Sequence, residues 1–112
     1  MKDPRVRQMA EILVNYSTRV KKGDVVLIHA SGAESLPLVK EVYIEALARG
    51  ARYVEYELVL PEISRHFYNS AGKEQLAFFP QHKLDFMEKV TVYIGIAAAD
   101  NSMVMAQATS RT

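Results

Sequence analysis

An unbroken apolar run, Val25-Val26-Leu27-Ile28, constrains the fold more than any other part of the chain. It follows Lys22-Gly23-Asp24, a composition typical of a turn. A strand with one exposed face alternates between apolar and polar residues, whereas a run without alternation is covered on both faces. The sequence therefore predicts a buried strand at the centre of a parallel sheet.

An amphipathic helix is predicted before this strand. Asp3 suits the N-cap and Pro4 the first helical position, where the missing N–H of proline costs nothing. Apolar residues then recur at steps of three and four, as on one face of a helix: Val6, Met9, Ala10, Leu13, Tyr16 and Val20. We expect the helix to end at Lys21-Lys22, which suit the negative end of its dipole, with Gly23 in the left-handed position that follows.

A second helix is predicted after the strand. Proline is tolerated only in the first turn of a helix, so the helix begins shortly before Pro37. That makes Ser35 a better N-cap than Ser31, although Ser31 has the glutamate spacing of a capping box. Its buried stripe is expected to contain Leu38, Val39, Val42, Tyr43, Ala46 and Leu47. Gly50 ends it.

The later elements are less regular. Residues 53–60 alternate and carry Glu55 and Glu57 on one face, which predicts an edge strand with a partly wet face. Residues 61–89 have the pattern of short helices, and residues 90–97 form a third apolar strand with little alternation. Apolar residues at 103, 104 and 106 predict the start of one more helix.

These elements predict an α/β fold. Strands that are joined through helices make right-handed crossovers and therefore a parallel sheet. The unbroken apolar strand belongs in the centre and the acid-bearing strand at an edge, which gives the flavodoxin-like order 2-1-3 in a three-layer sandwich. Residues 1–112 then form a single α/β domain.

The third strand is apolar on both faces, yet this order leaves it at an open edge. A further strand, residues 101–112 folding over it, or a second copy of the chain would satisfy its outer backbone groups, and self-association is the expected outcome. We expect the sheet to be incomplete at the carboxyl end, with residues 1–112 as the amino-terminal part of a longer protein.

Composition excludes several classes of function. A net charge of +1 does not provide the clustered cations that a nucleic-acid binder needs. No apolar run approaches the length that spans a bilayer, so no membrane association is expected. The chain has no cysteine, which removes disulfides and thiolate sites. A cytoplasmic location is the default expectation.

Two positions are candidate ligand contacts. Residues 31–35 connect the carboxyl end of a strand to a helix N-terminus, where open α/β sheets bind anions, and Asn101 follows the third strand in the same way. Ser31 and Asn101 are therefore possible contacts to substrate or ligand. The turn has one glycine rather than a dinucleotide fingerprint, and a plain connection explains it more simply. Asn101 can equally cap the following helix.

No other pattern predicts a catalytic centre. None of His29, His66 and His82 has a second histidine three to five residues away, and no serine has a Gly-x-Ser-x-Gly context. Glu55 and Glu57 have a spacing that two metals or an acid–base pair can use, but a solvated edge face explains them more simply. We therefore predict no catalytic residue, metal ligand or cofactor site in these residues.

Several blocks of sequence together resemble a known family. They are Asp3-Pro4-Arg5, Ile12-Leu13-Val14-x-Tyr16-Ser17, Val20-x-Lys22-Gly23-Asp24-x-Val26-Leu27-Ile28, Leu36-Pro37-Leu38-Val39 and Tyr43-x-Glu45-Ala46-Leu47-x-x-Gly50-Ala51. In order and spacing, residues 3–60 resemble the amino-terminal domain of the thermophilic metallo-aminopeptidases, of the aminopeptidase T, aminopeptidase S and leucyl aminopeptidase type. Ala99-Asp100-Asn101 fits more loosely.

The resemblance implies a two-domain, usually dimeric enzyme that releases amino-terminal residues from peptides with two divalent metal ions, zinc, cobalt or magnesium. In that family the metal ligands lie in the larger carboxy-terminal domain. No position here matches their motifs, so no catalytic residue is carried over and the chain alone is expected to be inactive. A second hypothesis is a freestanding flavodoxin-like binding or interaction module that contacts an anion at residues 31–35.

Overall fold

The computed structural model describes residues 4–98 and 104–110. Its α-helices are α1 (Pro4–Glu11), α2 (Leu36–Ala48), α3 (Pro61–Ser70), α4 (Lys73–Ala77) and α5 (Gln81–Lys89). Its strands are β1 (Val25–Ser31), β2 (Tyr53–Val59), β3 (Val92–Ala98) and β4 (Val104–Ser110). A π-helical turn (Ile12–Ser17) follows α1, and a 3₁₀ turn (Ala33–Ser35) precedes α2.

The three parallel strands have the predicted order. β1 lies between β2 and β3 and pairs in parallel with both, so that Ile28 lies opposite Tyr56 on one side and Ile94 on the other. The apolar run that predicted a central strand is buried as expected, with Ile28 at 0% exposure. The α/β class and the order 2-1-3 are confirmed.

The prediction for residues after 101 is wrong. Residues 104–110 form β4 rather than a helix, and β4 pairs antiparallel with the outer edge of β3. Apolar residues at 103, 104 and 106 fit a helix face or a strand equally well over so short a window. The unpaired backbone row of β3 favours the strand, because residues 104–110 satisfy it. β3 is therefore an inner strand, and the open edge expected to drive self-association is covered.

The main core lies between one face of the sheet and the helices α1 and α2. Alternate strand residues point toward these helices and are almost fully buried: Val26, Ile28, Ala30, Val54, Val92, Ile94 and Ile96. Their partners on the helical layer are Ala10, Leu13, Val14, Leu38, Val39, Val42 and Ala46. The predicted stripe of α2 is thus confirmed except for Leu47, which is exposed because it lies at the edge of the stripe.

The first helix is shorter than predicted. α1 ends at Glu11, the π-helical turn ends at Ser17, and Arg19 has a left-handed φ of 52°. The buried Thr18 hydroxyl donates to the Leu13 carbonyl at 2.8 Å, the local competition by which threonine terminates helices. Lys21-Lys22 therefore lie in a loop, away from the helix terminus. Gly23 has the expected positive φ, 91°, but in the turn before β1.

A buried polar network joins the first helical segment to α2. Glu45 is 7% exposed, and its two carboxylate oxygens accept from Arg7 Nη2 at 2.6 Å and from Asn15 Nδ2 at 3.0 Å. Arg7 Nη1 also reaches the Glu41 carboxylate at 3.5 Å. Because α1 and the π-helical turn each contribute one donor, Glu45 fixes both against α2.

α5 lies on the opposite face of the sheet, which completes a three-layer arrangement. The Phe86 ring packs edge-on against Tyr53 with a centroid separation of 5.9 Å. β2 is an edge strand, as predicted, but only Val54 of its apolar face is buried, and Tyr56 is 57% exposed. The Tyr56 ring packs edge-on against Tyr43 of α2, with a centroid separation of 6.0 Å. No helix in the described part of the chain is long and apolar enough to cross a membrane.

Candidate functional site

A cleft of about 720 Å³ opens between α5 and the second face of the sheet. Tyr53, Glu55 and Glu57 project into it from alternate positions of β2, because residues two apart in a strand share a face. α5 forms the opposite wall, to which it contributes four residues: His82, Lys83, Phe86 and Lys89. The cleft therefore has two carboxylates on β2 and two lysines on α5, and Arg52, which directly precedes β2, adds a third cation to its lining.

A hydrogen-bonded cluster fixes the amino-terminal end of this cleft. The Thr91 hydroxyl donates to Asp24 Oδ1 at 2.9 Å and accepts from the Val25 amide at 3.0 Å. The second oxygen of the buried Asp24 carboxylate accepts from the Lys21 amide at 2.8 Å. The Arg52 amide donates to the Asp24 carbonyl at 2.8 Å. The starts of β1, β2 and β3 are thus held together around Asp24.

A histidine–carboxylate pair lies on the same face of the sheet. β1 extends to Ser31, so His29 projects on the Leu27 side of the strand, opposite Glu57 in the β1–β2 register. His29 Nδ1 lies 2.6 Å from Glu57 Oε1. An ionised carboxylate only accepts hydrogen bonds, so such a carboxylate pairs with the form of the imidazole that has its proton on Nδ1. The imidazole ring stacks on Tyr93 of β3 with a centroid separation of 6.3 Å.

The carboxylates influence the two tyrosines beside them. Burial, followed by the Glu57 charge, raises the pKa of the Tyr93 phenol. A hydrogen bond from the Tyr53 hydroxyl to Glu55 at 3.1 Å, followed by the Glu55 charge, raises the pKa of Tyr53. Both phenols therefore stay neutral donors at neutral pH. The pair of His29 and Glu57 orients an imidazole, but no serine or threonine hydroxyl in the described residues is hydrogen-bonded to it.

The turn at residues 31–35 is a tight connection. Gly32 has a φ of 88°, its amide donates to the Val59 carbonyl at 2.9 Å, and the Ser35 amide donates to the Gly32 carbonyl at 3.1 Å. Ser35 occupies the N-cap position predicted for it, although its hydroxyl donates to the Gly32 carbonyl at 2.7 Å. These two amides are therefore committed to protein carbonyls. A ligand contact by Ser31 stays a prediction, and Asn101 lies outside the described residues.

The other sequence candidates separate in space. His66 lies exposed on α3, His82 lines the cleft on α5, and His29 is in β1. The pairing of His29 with Glu57 was missed, because it depends on the β1–β2 register, which local patterns do not define. Lys83 and Phe86 were missed because α5 shows only a weak helical pattern.

The described residues do not fit a metal centre. No group of three or more His, Cys, Asp or Glu side chains lies close enough to hold an ion within residues 4–98 and 104–110. Protein zinc sites use three or four such ligands, and His29 with Glu57 supplies two.

Comparison with known proteins gives one family and one fold. The sequence model of a family described as thermophilic metalloprotease (M29) matches residues 2–112. The structure is similar to that of wild-type AmpT from Thermus thermophilus, with a TM-score of 0.60 and 21% sequence identity. The similarity covers 75% of this chain and 21% of the Thermus chain, so this chain spans about a fifth of that protein. No curated protein sequence matches.

Proposed function

Because the chain belongs to the thermophilic metalloprotease family (M29), we propose that it is the amino-terminal domain of a metal-dependent aminopeptidase. The family match over residues 2–112 is the observation that carries this proposal. The blocks within residues 3–60 that resemble metallo-aminopeptidases support the narrower assignment. The 112 residues then supply a scaffold or a surface for substrate access, and the metal ligands come from another part of a longer chain.

The surface of α3, α4 and α5 supports a role as part of a larger protein. These helices bury none of their residues, and apart from the half-buried Phe86 their large apolar side chains lie exposed. Phe78 is 73% exposed, and the other large apolar residues of this surface are Ile63, Phe67, Tyr68, Leu76, Phe79, Leu84 and Met87. So many large apolar side chains exposed on three successive helices are typical of a part of a protein that packs against another domain or subunit. In this proposal the rest of the peptidase covers it.

The proposal extends to the whole enzyme. Its substrates are peptides, its cofactors are two divalent metal ions, and it works as a homo-oligomer in the cytoplasm. A chain without cysteine suits a reducing compartment, since it needs no disulfide.

The first experiment tests the chain alone. We expect no hydrolysis of amino-acid anilides in the presence of zinc, cobalt or magnesium, and no stoichiometric metal by elemental analysis, because the described residues lack a set of three ligands. Turnover above the blank, together with bound metal, would contradict the assignment of the metal centre to another region.

A matched pair of variants identifies the source of any turnover. His29→Ala removes the imidazole that faces Glu57, and His66→Ala removes an exposed histidine of α3. If activity appears and only His29→Ala abolishes it, the catalytic centre lies on this sheet. If neither variant changes a trace activity, neither His29 nor His66 is its source.

A further inference from the structure

The cleft between α5 and the sheet contains carboxylate oxygens and ammonium groups that have no partner among the described residues. Glu55 Oε1 accepts from Tyr53 and Glu57 Oε1 from His29, but Oε2 of neither glutamate bonds to another described residue. Across the cleft, the ammonium groups of Lys83 and Lys89 form no ion pair or hydrogen bond with any residue that the structure describes. Opposite charges therefore face each other at more than bonding distance.

An apolar surface lies between these charges. Phe86 and Tyr53 are in edge-on contact and both line the cleft, beside Val25 and Thr91. The volume of about 720 Å³ lies within the range of small-molecule sites. A ligand that satisfies this lining carries an ammonium group for the glutamates, a carboxylate for the lysines and an apolar group for the aromatic rings.

We propose that this cleft is a binding site for zwitterionic ligands, namely short peptides or free amino acids with an apolar side chain. The ammonium group of the ligand lies against Glu55 and Glu57, and its carboxylate lies against Lys83 and Lys89. The proposal rests on the lining of this cleft alone, so it goes beyond the proposed peptidase function and does not depend on it.

The charges that line the cleft favour a ligand with both a positive and a negative group over a simple ion. An anion alone would bind near the lysines and be repelled by the carboxylates of Glu55 and Glu57. A cation alone would bind near the carboxylates and be repelled by the lysines. A dipeptide carries both charges in one molecule, which matches a lining with carboxylates on β2 and lysines on α5.

The test is an NMR titration of the ¹⁵N-labelled chain with Gly-Phe, without added metal. We expect saturating shifts confined to residues 23–25, 52–57 and 82–91 at concentrations up to about 20 mM, the range of weak small-ligand sites. N-acetyl-Gly-Phe lacks the ammonium group and Gly-Phe amide lacks the carboxylate. Each should bind about tenfold more weakly, because each loses one charge-assisted contact.

Matched variants assign each end of the ligand. Glu55→Gln should lower the affinity for Gly-Phe to that for N-acetyl-Gly-Phe, which has no ammonium group. Lys83→Gln should lower the affinity for Gly-Phe to that for Gly-Phe amide, which has no carboxylate. Glu62→Gln and Lys73→Gln, exposed on α3 and α4, should change neither. Circular dichroism checks that each variant is folded.

Absence of saturable shifts would overturn the proposal, as would equal binding of the blocked probes. Because the titration needs neither metal nor turnover, a failed peptidase assay leaves its result unaffected.

Discussion

Replacement of Glu45 by alanine tests the polar network that holds the first helical segment against α2. Glu45 is 7% exposed and accepts from Arg7 at 2.6 Å and from Asn15 at 3.0 Å. Alanine leaves the Asn15 amide nitrogen without a partner in a site where Asn15 Oδ1 already lacks one among the described residues. Arg7 keeps its weaker contact with Glu41, at 3.5 Å.

The expected loss follows from these contacts. Breaking a buried ion pair costs about 3–5 kcal/mol, and the Arg7 side chain is 40% exposed, so solvent screening places the loss at the lower end. We expect a decrease of about 3 kcal/mol in the free energy of unfolding, or about 10–15 °C in melting temperature for a chain of this length. Asn15→Ala should cost less, about 1 kcal/mol, because it removes the unpaired Oδ1 together with the donor.

Urea denaturation followed by circular dichroism at 222 nm measures these losses. Glu88→Ala is the matched control, since Glu88 is exposed on α5 and should change the free energy of unfolding by about 0.5 kcal/mol or less. A loss for Glu45→Ala within about 1 kcal/mol of this control would refute the reasoning, because the network would then contribute little.

Two further predictions concern the sheet. Ile28→Asp places an unpaired carboxylate in the central strand and should lower the free energy of unfolding by several kcal/mol in denaturant melts, whereas Glu57→Gln loses only its contact with His29 and should cost at most about 1.5 kcal/mol. Similar losses would contradict the assignment of inner and edge strands. The raised pKa of Tyr93 means that its contribution to stability is present below its ordinary pKa of 10.0 and is lost as the pH rises through the folded value. Spectrophotometric titration at 295 nm should show Glu57→Gln lowering the pKa of Tyr93 only partly, because burial is the larger cause; full return to the ordinary value would assign the shift to Glu57 alone.

Local sequence patterns were sufficient where burial alone decides the structure. The apolar run in β1 and the stripe of α2 specify a central strand and its covering helix, because their side chains have no alternative to the core. The order 2-1-3 follows from these elements and the handedness of crossovers.

Patterns failed where distant parts of the chain decide the structure. The contact between His29 and Glu57 depends on the pairing register of β1 with β2, and the cleft depends on where α5 lies over the sheet. Each of these is a tertiary contact with no local signature, so the candidate site was the least predictable part of the molecule.

The pairing of β4 with β3 leads to a final prediction, on self-association. In an antiparallel pair, residues alternate between those that exchange two hydrogen bonds with the partner strand and those whose N–H points away. Ala106 and Gln107 are adjacent in β4 and lie opposite Ile96 and Gly95, so one of them donates to β3 and the other does not. Ala106→Pro and Gln107→Pro should therefore differ, since proline is tolerated only where the edge N–H faces solvent.

One of the two prolines replaces a residue whose N–H donates to β3, and that variant should break the β3–β4 pairing and expose the outer backbone groups of β3. Light scattering should then show association that grows with concentration. The other variant and the unchanged chain should scatter alike. Equal behaviour of the two proline variants would show that β4 does not protect β3. Association in the unchanged chain, equal to that of the disrupted variant, would place the contact between copies on another surface, because β4 already pairs with that row.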